Sequence, residues 1–421
     1  MKKTHLSTEV IAGFTTFLTM SYIIVVNPAI LASDGTGMSF SGVLTATVLI
    51  SFLSTLLMGL FAKLPFALAP GMGINTFFTF TIILGHKIPW QEALGLVFWS
   101  GVFFLIISLT SLRQKIVQAI PKHLRLGMSC GIGLFLTFIG LKNASIIQSS
   151  PATFVTHAPL SWELGLAVIG LFICLFFLRK KNPASFLIGI VSVTLISLLA
   201  NKVALPISIF SMPDFSTTFF KLDIWAALKV SSIPIILTLI ITDLFDSVSS
   251  FIGVSTSANL LDENNEPKNL KQALFVDAVA TFFSSLFGTS AATTFIESSA
   301  GVEAGGRTGM TAIVTSLCFL PFLFLSPLLS IIPIYATAPI LIIVGSLMFK
   351  NITQLNFNKI EDTLPVFLTI VLIPLTFSIS QGIMWGFFSH VLLYALSGRS
   401  KELKPLMIVL GLGGFLFIAY S

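Results

Sequence analysis

Runs of about 17 to 25 mostly apolar residues, each long enough to cross a hydrocarbon layer as a helix, follow one another along this chain and are separated by short polar stretches. They fall near 9–31, 42–62, 66–84, 90–111, 124–141, 162–178 and 184–200, and then near 231–256, 270–288, 290–303, 307–329, 334–349, 363–378 and 380–397. Between these two sets of seven lies the longest interruption, the polar, proline-containing stretch 201–230, which is the natural seam. An odd number of crossings per half sends the second half into the bilayer from the opposite side, the footprint of an inverted repeat. The pattern therefore predicts an all-α polytopic membrane protein of about fourteen segments in a single domain, 1–421. Its first repeat covers about 9–200 and its second about 231–397. A last apolar stretch, 404–421, is short for a crossing and is left open between a fifteenth span, an interfacial helix and a different division of segments 13 and 14.

Two segments are interrupted at matching places in the halves. The third carries Pro65-Phe66-Ala67-Leu68-Ala69-Pro70-Gly71-Met72-Gly73-Ile74-Asn75, and the tenth runs Gly288-Thr289-Ser290-Ala291-Ala292-Thr293-Thr294-Phe295-Ile296-Glu297-Ser298-Ser299-Ala300-Gly301-Val302. Either alone reads as a kinked helix. Paired helix breakers in corresponding positions point instead to a site near the bilayer midplane. A broken helix frees backbone polar groups that lipid cannot satisfy, so the break faces protein or a polar cavity, and the half-helix after it offers amide donors to a ligand. Gly140-Leu141-Lys142-Asn143 and Met348-Phe349-Lys350-Asn351 form a weaker echo between the halves.

Composition agrees with the membrane reading: 55% hydrophobic residues, 10% charged and a mean hydropathy of +0.98 leave no room for a sizeable soluble domain. The net charge of +6 matters through its distribution. With a cytoplasmic N-terminus, Lys2, Lys3, Lys63, Arg113, Lys115, Lys122, Arg125, Arg179, Lys180, Lys181, Lys268, Lys271, Arg307, Lys350, Lys359, Arg399, Lys401 and Lys404 fall on one side. Lys87, Lys142, Lys202, Lys221 and Lys229 fall on the other, an asymmetry that follows the positive-inside rule. The expected location is the plasma (inner) membrane. The first apolar run lacks a small-residue cleavage site and reads as a retained helix. Cys130, Cys174 and Cys318 stand singly in apolar segments and read as packing residues.

Acidic residues inside such segments are expensive and mark function by default. Asp243 and Asp246 lie three apart in the eighth segment, on one helical face, where repulsion and desolvation leave at least one of them holding a proton near neutral pH. That is what proton-coupled transport requires, and Asp246 and Asp243 are the proton-coupling candidates; the competing reading is that they cap broken helix ends or bond hydroxyls for structure. Glu297 has no basic neighbour before Arg307, so no local ion pair accounts for it. A carboxylate beside backbone donors suits a planar heterocycle with ring N–H donors and carbonyl acceptors, and repels an anion. Asn75 can both donate and accept, while Phe77, Phe78 and Phe295 offer faces for stacking, although most of the 41 phenylalanines face lipid. The substrate-binding set is thus Glu297, Asn75, Asp243, Phe78, Phe295 and Thr294. Asp277, Glu303 with Arg307 as an i,i+4 pair, and His390 alone in its segment read as structural. No Walker motif, metal-ligand cluster or nucleophile–base pair is present, so neither an enzyme nor a cofactor is expected.

Several long, unusual stretches carry a resemblance. They are Glu9-Val10-Ile11-Ala12-Gly13-Phe14-Thr15-Thr16-Phe17-Leu18-Thr19-Met20-Ser21-Tyr22-Ile23 with Asn27-Pro28, then Ala69 to Asn75, Asp243-Leu244-Phe245-Asp246-Ser247, Leu261-Asp262-Glu263-Asn264, and Gly288 through Glu297-Ser298 to Val302. Together they resemble the adenine/guanine/hypoxanthine permeases, the AzgA-like branch of the nucleobase/ascorbate transporters. That resemblance implies a core body (segments 1–4 and 8–11) and a gate body (5–7 and 12–14), with short antiparallel strands in segments 3 and 10 meeting at the site. It implies purine uptake driven by the proton gradient, with Asn75, Asp243, Asp246 and Glu297 in binding and coupling. The chain departs from the pattern at Ser249-Ser250 and Ala291-Ala292, which bears on purine preference. The partners expected are a purine nucleobase and the bilayer, with no nucleic acid; a homodimer stays open. The competing readings are a symporter of a uracil-type pyrimidine or a small anion on the same fold, and a membrane-embedded enzyme or a channel.

Overall fold

Backbone donors and acceptors inside a bilayer must be paired within the protein, and among the described residues the apolar segments meet that demand as helices except at the two interrupted ones. The computed structural model describes residues 5–110, 119–151, 153–258 and 269–420. Lys2, Lys3, Arg113, Lys115, Lys268 and the motif 261–264 lie outside the described residues, as does the side chain of Ser249.

The first apolar run is not one helix. It is α1 (Leu6–Met20) and α2 (Ile23–Leu31), joined at Ser21 and Tyr22 by a tightened turn in which Ile24 N–H bonds Ser21 O and Val25 N–H bonds Tyr22 O. Next come α3 (Phe40–Leu57), strand β1 (Leu68–Pro70), the half-helix α4 (Met72–Thr76), which widens into π-type turns over Phe77–Gly85, and α5 (Trp90–Leu109). The gate side of the first half is α6 (Lys122–Asn143), α7 (Trp162–Arg179) and α8 (Ser185–Leu199). Between α6 and α7 lies a hairpin of β2 (Ile147–Ser150) and β3 (Phe154–His157) that the hydropathy pattern did not predict, because its strands are short, polar and exposed.

The second half repeats the plan. It runs α9 (Ile233–Ala258), α10 (Leu270–Phe287), β4 (Ala292–Thr294), α11 (Ser298–Glu303), α12 (Gly309–Phe319), α13 (Ser326–Ser330), α14 (Ile334–Phe349), α15 (Ile360–Leu375) and α16 (Ile379–Leu396). The final apolar stretch forms α17 (Pro405–Tyr420), packed on α16. Nine helices among the described residues are long and apolar enough to cross a membrane, with Leu6–Leu31 taken as one, and shorter apolar helices cover Met72–Gly85, Ser185–Leu199, Gly309–Phe324 and Pro405–Phe415.

The helices sort into two bodies. In the core, α1 packs on α11 and α12, α3 on α12, and α5 on α10; in the gate, α6 packs on α14 and α15, α7 on α8, and α15 on α16. Contact in the gate is backbone to backbone. A methyl group added at Gly133 of α6 would lie 2.6 Å from the carbonyl oxygen of Gly345 on α14 and 2.9 Å from Met348 Cβ, the close approach that small residues permit in membranes. Gly133→Ala is therefore expected to push α6 and α14 apart at an overpacking cost of about 1–3 kcal/mol, read as a lower unfolding temperature of the detergent-solubilised protein.

The seam belongs to the core. Phe220 N–H bonds Leu286 O, Asp223 N–H bonds Gln91 O, and the Trp99 indole donates to Ile224 O. Asp214 accepts from Ser41 at 2.7 Å and Thr217 at 2.8 Å. Burial works against the charge of Asp214, but these hydroxyls and Ser216 outweigh it and hold its carboxyl well below the usual range.

Candidate functional site

The two interrupted segments satisfy each other. Leu68 pairs with Thr294, Ala69 with Thr293 and Pro70 with Ala292 in an antiparallel ladder, extended by Gly71 N–H on Ala291 O and Phe295 N–H on Ala67 O. Three side chains close the remaining backbone groups. Thr55 serves Leu68 at 2.9 Å, Ser298 accepts from Ala67 N–H at 3.0 Å, and Thr281 donates to Ala292 O at 3.3 Å. Prolines and glycines break the helix, and the partner strand supplies what the break removes.

Where this ladder meets the gate lies a cavity of about 190 Å³. Its core wall includes Tyr22, Gly73, Asp246, Thr293, Thr294, Phe295 and Glu297. Its gate wall is made by Ser129 of α6, by Val344, Leu347 and Met348 of α14, and by Asn351 just beyond it. Glu297 sits at the start of α11, and its Oε1 accepts a hydrogen bond of 2.6 Å from the Tyr22 hydroxyl. The kink between α1 and α2 aims Tyr22 at this carboxylate. Asp246 Oδ2 accepts from Thr293 at 3.3 Å, and Thr294 Oγ1 has no hydrogen-bond partner among the described residues. On the gate side Asn351 Nδ2 donates to Ser129 Oγ at 2.9 Å.

The other candidates stand behind this wall. Asp243 is buried, with Oδ2 accepting from Thr281 at 2.6 Å, so it braces α10 and β4 from the rear, and its i,i+3 spacing does not bring it to the cavity with Asp246. Asn75 is fully buried; Ser290 donates to its Oδ1 and its Nδ2 donates to Pro70 O at 3.4 Å. Phe77 and Phe78 are fully buried in the core and do not line the cavity. Half-helix amides were expected on both sides. In segment 10 the Ser298, Ser299 and Ala300 N–H groups bond the carbonyls of Phe295, Ile296 and Glu297, whereas α4 begins at Met72 with no side-chain cap, and Met72 and Gly73 face the cavity.

One reading of the sequence is corrected. Glu303 and Arg307 do not pair, because Gly305 at φ +107° ends the helix that would align them. Arg307 instead donates to Val302 O and Gly306 O, and Glu9 accepts from the Arg307 and Thr308 amides at 3.2 and 3.3 Å. His390 packs against other rings: it lies 5.1 Å from His123 and 4.1 Å from Tyr394, whose hydroxyl bonds Asp362.

Tyr22, Thr293, Ser129 and Asn351 were not singled out as site residues. Asn351 was visible only as part of a repeat echo, and Tyr22 only within the Glu9–Ile23 stretch that carries the family resemblance, with no role attached to it. Tyr22→Phe is expected to leave the ring packing on Phe186 and Phe295 in place while freeing Glu297 of its donor. Loss of a charge-assisted bond of about 1.5 kcal/mol predicts a roughly tenfold rise in substrate KM, with expression unchanged, measured by uptake kinetics.

Comparison with known proteins agrees with this architecture. The model of a family described as the permease family matches residues 7–385. The chain is similar to the adenine permease AdeP of Escherichia coli, at 40% identity over 96% of this chain and 91% of that one. It is similar to the guanine/hypoxanthine permease PbuO of Bacillus subtilis, at 38% identity over 97% and 96%. Among solved structures, the transmembrane domain of the cyanobacterial bicarbonate transporter BicA superposes with a TM-score of 0.66 over 91% of this chain and 98% of that one, at 17% identity. That last likeness is one of fold.

Proposed function

The chain belongs to the permease family, in its nucleobase/ascorbate transporter branch, and from that premise we propose that it imports purine nucleobases together with protons across the plasma membrane. It is a transporter and not an enzyme. The observation that carries the purine reading is Glu297: its Oε1 is held by Tyr22 while the carboxylate faces a cavity between core and gate. A carboxylate has acceptor sites beyond the one Tyr22 occupies, and these suit a ring N–H. The first turn of α4 at Met72 and Gly73 faces the same space and offers amide donors to a ring nitrogen or carbonyl, and Tyr22 and Phe295 provide aromatic faces. The names of the relatives, adenine in one case and guanine and hypoxanthine in the other, support the same class.

Coupling rests on Asp246. It lines the cavity within the same wall as Glu297, so the charge it carries is felt by whatever binds there. In the cycle we propose, a proton neutralises Asp246 from the outside, a purine then binds against Glu297, and the core moves against the gate to open inward. The bias of lysine and arginine supports a cytoplasmic N-terminus. Glu297 disfavours a small anion as substrate, although the fold is shared with a bicarbonate transporter.

The test is uptake of radiolabelled adenine, guanine, hypoxanthine, xanthine and uracil in cells lacking their own permeases, at two external pH values and with a protonophore. Saturable purine uptake that rises in acid and collapses with protonophore is the expected result. Uracil uptake without purine uptake would move the protein to a pyrimidine carrier, and purine uptake indifferent to the protonophore would remove the coupling.

A further inference from the structure

Arg125 stands one turn into α6, on the gate, half-buried where the gate meets α9 of the core. Its guanidinium carbon lies 5.8 Å from the centre of the Phe245 ring, and its Nε–H has no hydrogen-bond partner among the described residues. A guanidinium keeps its charge at any working pH, and a buried charge without a carboxylate is costly. No ion pair joins Arg125 to any described acidic residue in this conformation. Yet Arg125 lines a cavity of about 40 Å³ together with Asp246, Thr242 and Ser129, space enough for water between the two charges.

Phe245 and Asp246 are neighbours on α9, so their side chains leave the helix about 100° apart and about 1.5 Å apart in height. A modest turn or slide of the core against α6 therefore exchanges the ring over Arg125 for the carboxylate. The ionisable groups around Asp246 are otherwise Glu297 before α11, Tyr22 between α1 and α2, and Asp243 one turn away on α9. None of these neutralises a carboxylate; the cation comes from the gate.

We propose that Arg125 is the gate-side counter-ion that Asp246 meets once it has released its proton, and that this pair carries the empty transporter through its return step. The inference rests on the proton-coupled reading above and deepens it. After delivering purine and proton inward, the carrier must reorient with Asp246 ionised, and moving a bare carboxylate through the domain boundary is expensive. Pairing with Arg125 neutralises it for that movement. Exchange of purine for purine keeps the carrier loaded and protonated and does not use the return step, so Arg125 is a positioning residue for net transport alone.

The experiment uses the full-length protein in liposomes loaded with purine or with buffer. Net uptake under an imposed pH gradient and counterflow exchange are measured for the wild type, Arg125→Gln, Arg125→Lys, Asp246→Asn and the double variant Arg125→Gln/Asp246→Asn. Arg125→Gln is expected to lower net uptake by about tenfold or more while exchange stays within about twofold, Arg125→Lys to restore most net uptake, and the double variant to be no worse than Asp246→Asn. Arg125→Met is the second variant should the glutamine protein insert poorly. Equal losses of net uptake and exchange, unchanged net uptake, or additive losses in the double variant would each overturn the proposal. If net uptake by the wild type ignores the pH gradient, it is the proton-coupled reading that fails; the Arg125 proposal fails separately, when the wild type is coupled and the variants behave like it.

Discussion

Glu297→Gln is expected to lower purine affinity by roughly 100-fold while leaving expression, membrane insertion and unfolding temperature close to those of the wild type. The two side chains have nearly the same shape, and a glutamine carbonyl still accepts the hydrogen bond that Tyr22 donates to Oε1. The wall of the cavity therefore keeps its form. What changes is the other end of the group, where an ionised acceptor becomes an amide donor that confronts the ring N–H of the ligand. A hydrogen bond to a charged acceptor contributes about 1.5–3 kcal/mol, and opposing two donors adds the cost of an unpaired polar group, so a loss of about 3 kcal/mol follows. At about 1.4 kcal/mol for each factor of ten, that is the 100-fold named above. The measurement is equilibrium binding of radiolabelled hypoxanthine or adenine to purified protein, with Glu297→Asp as a control that keeps the charge and withdraws it by a methylene. Binding of the glutamine variant within about twofold of wild type would make Glu297 a structural residue that anchors Tyr22, and the ligand would have to be sought elsewhere on the wall.

How much of this was legible in the sequence depended on the range of the interactions involved. The interruptions of segments 3 and 10 were readable locally, because proline and glycine break a helix wherever they stand, and Pro70, Gly71 and Gly288 stand in apolar runs. That the two breaks pair as strands was implied by the family resemblance and not by the local pattern, since Leu68 and Thr294 are far apart in the chain. The kink at Ser21 and Tyr22 left no mark in hydropathy, so the first run read as one helix and its tyrosine was given no role. Spacing placed Asp243 and Asp246 on one face of α9, but it could not say that Thr281 of α10 and Thr293 of β4 would take one each and leave only Asp246 at the cavity. Asn75 and Phe78 were read from their closeness to the break; packing turned both inward. The gate wall was out of reach altogether, because Ser129 and Asn351 meet across the two halves and each is ordinary in its own segment.

Asp246→Asn is expected to abolish accumulation of purine above its external concentration while preserving a good part of purine exchange. Asparagine keeps the size of the side chain, and its carbonyl still accepts from the Thr293 hydroxyl, so the ladder between β1 and β4 and the cavity beside it are retained. What is lost is the ability to take up and release a proton. In a carrier that moves one proton with each purine, a gradient of one pH unit contributes about 1.36 kcal/mol, and a membrane potential of 100 mV about 2.3 kcal/mol more. Together these support a concentration ratio of several hundred in the wild type, whereas a carrier that binds no proton equilibrates its substrate and nothing further. The ratio for the variant should therefore fall to about unity at every external pH, with counterflow reduced no more than about threefold because the loaded, uncharged form is the one asparagine imitates. Measured in the same liposomes, Asp243→Asn separates the two carboxyls. Its carboxylate lies behind the strands and receives its hydrogen bond from Thr281, so its replacement should lower stability and transport rate together without changing the dependence of accumulation on pH. If Asp246→Asn still concentrates purine and Asp243→Asn does not, the coupled proton sits on the buried carboxyl, and the strand ladder between it and the cavity becomes the path by which substrate binding is felt.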